Sequence, residues 1–155
     1  MTNDPVPDAN VMADAARVRV LVAEGIETNR AVLLSMLDRL GVACDIAENG
    51  VEALAAAARA DYDLILMDLN MPELDGYGAT QAIRALPGAR GKVPIVACTA
   101  NAFPDDIVRC REAGMDGHIA KPVRLRQLAD ELKKHAADRG PGAVSGTVAS
   151  GPALL

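Results

Sequence analysis

Aromatic side chains are scarce in this sequence: its 155 residues include two Tyr, one Phe and no Trp. Basic charge is scarce as well, with 16 Lys and Arg against 21 Asp and Glu, a formal net charge of −5. A chain with few rings to stack on bases and no surplus of cations lacks the surface that neutralises phosphates, which argues against nucleic-acid binding. No apolar run approaches the roughly 18–20 residues of a membrane-spanning helix. The opening MTNDPVPDAN lacks the basic-then-apolar order of a secretory signal. Cys44, Cys98 and Cys110 are odd in number and show neither CxxC nor His-paired spacing, so a disulfide framework or zinc site is disfavoured. They read as small reduced hydrophobes in a cytoplasmic protein. Three nucleotide and metal signatures are absent: GxGxxG, GxxxxGK followed by Ser or Thr, and HExxH.

What the chain does have is a core. Half of its residues are hydrophobic and 24% are charged, the balance of one ordinary folded domain. Residues 1–16 and 138–155 carry Asp, Asn, Pro, Gly, Ala and Ser without apolar periodicity, and they are expected to be flexible tails around a folded region at 17–137. Within that region short apolar runs alternate with helical patterns, the signature of βα units and a parallel sheet. Strands are expected at Val18–Ala23, Ala43–Ala47, Leu64–Met67, Val93–Cys98 and His118–Ala120. The first helix places Leu33, Met36, Leu37 and Leu40 at i, i+3, i+4 and i+7, and Gly41 ends it. The second carries Val51, Leu54, Ala55 and Ala58 on one face. The third has Ala79, Ala82, Ile83 and Leu86 and stops at Pro87-Gly88. The fourth covers Asp105–Ala113, and the last has Leu125, Leu128, Ala129 and Leu132 on one face. Gly76 is expected to let the chain turn into the third helix, and Gly114 to end the fourth.

Five such units with right-handed crossovers predict an α/β, doubly wound, five-stranded parallel sheet, for which strand order 2-1-3-4-5 is one common solution. In that order strands one, three and four are neighbours, and their carboxyl ends converge on one crevice. The polar residues sit there: Glu24 after strand one, Asp68 after strand three, Thr99 after strand four and Lys121 after strand five. Two facing carboxylates favour a divalent cation, and oxygen ligands suit Mg²⁺. With a lysine and a hydroxyl beside them, the set suits a phosphoryl group on Asp68: the carboxylate is the nucleophile, while the cations offset charge on the transferring oxygens. His118 and His135, at a strand edge and in the last helix, are poor partners for a Ser/His/Asp triad.

The stretches VLVAEGIETNR (20–30), AENGVEAL (47–54), YDLILMDLNMPELDG (62–76), PIVACTANA (94–102) and AGMDGHIAKPV (113–123), taken together, resemble the response-regulator receiver domain of two-component signalling. The likeness is greatest to receivers attached to hybrid histidine kinases. It implies a flavodoxin-like (βα)5 fold and transfer of a phosphoryl group from a phosphohistidine to Asp68. It implies Mg²⁺ held by Glu24, Asp68 and the backbone carbonyl of Asn70, with Thr99, the Ala100 N–H and Lys121 on the phosphoryl oxygens and a cis bond between Lys121 and Pro122. No turnover is implied beyond that self-catalysed transfer. The implied partners are a histidine kinase or histidine phosphotransfer protein, and a downstream protein on the helix-four, strand-five, helix-five face, where Asp105, Asp106, Arg109, Arg111, Arg124 and Arg126 supply charge.

The sequence departs from the family pattern twice. Gly25 stands where receivers carry a second acid, so the metal site has lost one of three carboxylates; Glu27, in the first turn of helix one, is the nearest acid able to reach back. His118 stands where many receivers have a switch Tyr or Phe, and an imidazole there is expected to move between buried and exposed rotamers as those rings do. Gly25 also opens a rival reading, a pseudo-receiver that docks partners without phosphorylation. A small phosphohydrolase or flavoprotein on a similar sheet is a third alternative, but AEGIETN offers neither aromatic cover nor a phosphate-binding loop.

Overall fold

The structure is a computed structural model that describes residues 18–100 and 103–138. Five strands, β1 (Arg19–Ala23), β2 (Ala43–Ala47), β3 (Leu64–Asp68), β4 (Ile95–Thr99) and β5 (Gly117–Ala120), form one sheet in the order β2-β1-β3-β4-β5. Every pairing is parallel, with Ala23 opposite both Ala47 and Met67, Asp68 opposite Cys98, and Thr99 opposite Ala120. The helices are α1 (Glu27–Arg39), α2 (Gly50–Arg59), α3 (Gly76–Arg84), α4 (Pro104–Ala113) and α5 (Leu125–Asp138), with a 3-10 turn at Gly88–Lys92. This is the flavodoxin-like, doubly wound architecture expected from the βα alternation.

The period of two along each strand divides the core. Val20, Val22, Leu64, Leu66, Val96 and Cys98 point to one face and pack with Leu33 and Leu37 of α1 and Leu128 and Leu132 of α5. Leu21, Ala23, Ile65, Met67, Ile95 and Ala97 point to the other, against Ala53, Ala56 and Ala57 of α2, Ala79 and Ile83 of α3 and Cys110 of α4. The three central strands are therefore buried on both sides, which is why their sequences read as unbroken apolar runs.

Several expected boundaries move, for local reasons. β1 begins at Arg19, whose N–H is taken by the Asp63 carboxylate at 2.7 Å. β4 begins at Ile95 rather than Val93, because Pro94 has no N–H for the ladder and the Val93 carbonyl accepts from Arg84. β3 and β4 each run one residue further, to Asp68 and Thr99, and β5 starts one residue earlier, at Gly117. Pro104 opens α4, a position that its fixed φ suits. The expected face of the second helix is wrong. α2 buries Gly50, Ala53, Ala56 and Ala57, while Val51 is 49% exposed. The face of small residues packs inward, where glycine and alanine let the backbone come close to the sheet.

The role expected for Gly76 also changes. A Cβ at that position would collide with the Asp68 carbonyl oxygen, so glycine is required by close approach rather than by the turn. Gly114 caps α4 in the left-handed region at φ 108, as its position past the helix predicts. α5 runs through Asp138, the first residue assigned to the C-terminal tail. The tails expected at 1–16 and 139–155 lie outside the described residues. Among the described residues no helix is long and apolar enough to cross a membrane.

Candidate functional site at the carboxyl ends of the strands

Strand order decides which side chains meet. Glu24 follows β1, and its N–H donates to the Ala47 carbonyl at 3.0 Å, prolonging the β1–β2 ladder by one residue. Asp68 and Thr99 are the last residues of β3 and β4, and the Lys121 N–H donates to the Thr99 carbonyl at 2.8 Å. Glu24, Asp68 and Thr99 are buried, at 1%, 4% and 4% exposure. Lys121 reaches in from the end of β5: its Nζ lies 2.7 Å from Glu24 Oε1 and 3.2 Å from Asp68 Oδ1. The four residues expected to converge do so, although they span 98 positions of sequence, from 24 to 121. The Lys121–Pro122 peptide is cis.

Two adjacent buried carboxylates and one ammonium leave the pocket with more negative than positive charge. Burial, and then the Glu24 charge beside it, pushes the Asp68 carboxyl up to about 6, against the pull of Lys121. Burial by itself lowers Lys121, but its bond to Glu24 and the charge of Asp68 outweigh that, and its affinity for the proton rises. Cys98, next to Thr99 in the sheet, is pushed up to about 12 by burial and serves as core.

The remaining expected residues are placed as follows. Asn70 and Ala100 lie in the exposed loops after β3 and β4. His118 is exposed on β5 opposite Ala97, and lines a shallow cleft with Ile107, Cys110, Arg111 and Met115. A Cβ on Gly25 would lie 3.3 Å from Pro72 Cδ and 3.4 Å from the Glu48 carbonyl oxygen, so the loops after β2 and β3 close on the place where a third acid would begin. Glu27 opens α1 on the exposed side. It does not supply the third carboxylate: among the described residues no three His, Cys, Asp or Glu side chains are grouped to hold a metal.

Two donors escaped the sequence reading. The Ile26 N–H bonds Glu24 Oε2 at 3.2 Å, and Arg30 Nη1 bonds the Glu24 backbone carbonyl at 3.0 Å. The second left a signal, a basic residue one turn into the helix that follows the acid. The first left none, because a backbone N–H is common to nearly every residue.

A doubly wound parallel sheet with buried acids at the ends of β1 and β3, a hydroxyl at the end of β4 and a lysine after β5 defines a class, the receiver-like domains. Comparison with known proteins makes this definite. The profile of the response regulator receiver domain matches residues 20–133, and the chain belongs to that family, the receiver domains of two-component signalling. Sensor histidine kinase RcsC of Salmonella typhi is 38% identical over 135 residues, which cover 87% of this chain and 13% of that protein. Probable histidine kinase 1 of Oryza sativa is 34% identical, covering 77% of this chain and 15% of its own length. The chain thus spans about one seventh of these curated relatives. Among solved structures, the receiver domain of sensor histidine kinase PA1611 from Pseudomonas aeruginosa, with a magnesium ion in its active-site cleft, is 39% identical with TM-score 0.72; the match covers 77% of this chain and 98% of that one. The receiver domain of Saccharomyces cerevisiae Ssk1, in complex with the histidine phosphotransfer protein Ypd1, matches at 28% identity and TM-score 0.72, covering 79% and 90% of the two chains.

Proposed function

We propose that this chain is a cytoplasmic phosphoacceptor that takes a phosphoryl group on Asp68 from the phosphohistidine of a histidine kinase or histidine phosphotransfer protein. The carrying observation is the buried Asp68 carboxylate held beside Glu24 by the Lys121 ammonium. In the transfer an Asp68 oxygen forms the new bond to phosphorus, the bond from phosphorus to the imidazole nitrogen breaks, and that nitrogen keeps the electron pair. Asp68 acts in its ionised form, which prevails above about pH 6. Lys121 transfers its hydrogen bonds from the carboxylates to the phosphoryl oxygens, and the Thr99 hydroxyl and Ala100 N–H orient them.

The all-oxygen donor set of Glu24, Asp68 and the Asn70 carbonyl fits Mg²⁺, with one carboxylate fewer because of Gly25. When bound, the ion neutralises charge on the transferring oxygens. Phosphorylation then shifts a two-state element that includes Thr99 and His118, read by a partner on the α4–β5–α5 face. On that face Asp105, Arg111, Arg124 and Arg126 are exposed and Asp106 is half-buried. Arg109 is partly engaged, its guanidinium 4.0 Å over the Tyr77 ring. No catalytic turnover is assigned beyond the self-catalysed transfer.

The test is intact-protein mass after incubation with a small-molecule phosphodonor, with and without Mg²⁺, for the parent, Asp68→Asn and Gly25→Asp. The expected result is one added phosphoryl mass in the parent that needs both Mg²⁺ and Asp68. A second reading, a pseudo-receiver that docks partners without phosphorylation, is favoured by Gly25 and by the loops closed around it. Labelling of Gly25→Asp alone would show that the missing carboxylate silences the metal-dependent chemistry toward that donor, and would favour that reading over the first.

A further inference from the structure

We infer that Lys121 is the resident counter-ion of the Glu24–Asp68 pair and acts as a brake on divalent-cation binding, because a metal at Glu24 competes with the ammonium for the same carboxylate. The inference rests on the reading of Glu24 and Asp68 as metal ligands, and it concerns what occupies them beforehand.

Buried carboxylates side by side demand a positive charge. With glycine at position 25 there are two of them, and a single ammonium touches both. The contact is unequal: Lys121 Nζ is 2.7 Å from Glu24 and 3.2 Å from Asp68, so its shorter bond is to the metal-ligand acid rather than the nucleophile. Each oxygen of Glu24 already has a protein donor, Oε1 from Lys121, Oε2 from the Ile26 N–H and the backbone carbonyl from Arg30. A cation that bonds the Glu24 carboxylate therefore shares it with these donors, and only the ammonium among them repels the incoming charge. The Ile26 N–H belongs to the backbone at the start of α1, whereas Lys121 is a point charge on a flexible four-carbon stem. Lys121 is the donor that yields. An acid at position 25 would supply a further carboxylate ligand, but a Cβ there already stands 3.3 Å from Pro72 and 3.4 Å from the Glu48 carbonyl, so the neighbours must give slightly to admit one.

The test is a Mn²⁺ titration read from the electron paramagnetic resonance of the free ion, on the whole chain without any phosphodonor. Lys121→Met is expected to tighten Mn²⁺ binding by about tenfold or more, Lys121→Arg to leave it no tighter than the parent, and Gly25→Asp to tighten it. A folded Lys121→Met that binds Mn²⁺ no more tightly than the parent overturns the inference. A second measurement needs no variant: Mg²⁺ titrated into the parent is expected to shift the Lys121 side-chain ammonium and Cε resonances together with those of Glu24. Saturation with no change at Lys121 overturns the inference equally. Because the titration contains no phosphodonor, tighter Mn²⁺ binding by Lys121→Met together with a parent that stays unlabelled in the phosphodonor experiment defeats only the phosphoacceptor reading, and the reverse pattern defeats only the brake.

Discussion

The two ends of the sheet both bring charges together, and they treat them in opposite ways. At the amino ends of the strands Arg84 donates to the carbonyls of Gly114, Gly91 and Val93 and to the Asp116 carboxylate, at 2.7–2.9 Å, while Asp116 also accepts the Ile95 N–H and Asp63 the Arg19 N–H. Each charge there is matched by groups that cannot leave, so α3, the start of β4 and the turn into β5 are tied together. At the carboxyl ends two buried acids share one ammonium on a flexible stem. Charges matched by backbone hold a fold in place; charges left in excess are available to a ligand.

The comparison breaks most visibly at Arg84. Arg84→Met takes the Arg84 donor from three carbonyls and leaves the Asp116 carboxylate with the Ile95 N–H, and is expected to lower unfolding stability by about 3 kcal/mol, read from the urea midpoint. A loss too small to measure would mean that the amino end is as loosely matched as the other.

The opposite sign is expected at the site. Asp68 holds its proton up to about pH 6 in the folded chain, above the ordinary value of 3.8. The unfolded chain releases that proton first, so stability falls as pH rises from about 4 to about 6 and stays reduced above it. Asp68→Asn is therefore expected to stabilise the protein by about 2 kcal/mol at pH 8 and by almost nothing at pH 4. A gain that is the same at both values would show that charge excess is not its source. Phosphoryl labelling of the parent should fall over the same window as pH drops.

The smallest effect tests whether every polar residue near the site belongs to its charge imbalance. Asn49 caps α2 by accepting from the Glu52 N–H at 2.8 Å, and its amide lies 3.4 Å from Glu73, a residue at φ 69 in the loop after β3. Asn49→Ala is expected to cost about 1 kcal/mol, equally at pH 4 and pH 8. A pH-dependent loss would place Asn49 inside the electrostatic network instead of beside it.

Much of this could be read from residues in line. Helices α1, α3 and α5 bury residues that their spacing picks out, Leu33 and Leu37, Ala79 and Ile83, and Leu128 and Leu132. In α2 the spacing picks out Val51, Leu54, Ala55 and Ala58, and only packing against the sheet shows that Ala53, Ala56 and Ala57 face inward. The Arg84 cluster was invisible for a different reason. Three of its four acceptors are carbonyls, and its bonds reach from the end of α3 to segments as much as 32 positions away.

The alternation of short apolar runs with helical periods determined the parallel sheet, since each strand buried on both faces must be apolar throughout. The placing of acids, hydroxyl and lysine just past those runs determined which residues meet, because in a parallel sheet every strand ends on the same side. The tertiary structure alone decided how they meet: that Lys121 lies closer to Glu24 than to Asp68, and that the loops after β2 and β3 close on Gly25. Those are differences of half an ångström and the approach of separate loops, set by the packing of the whole domain and carried by no residue's identity.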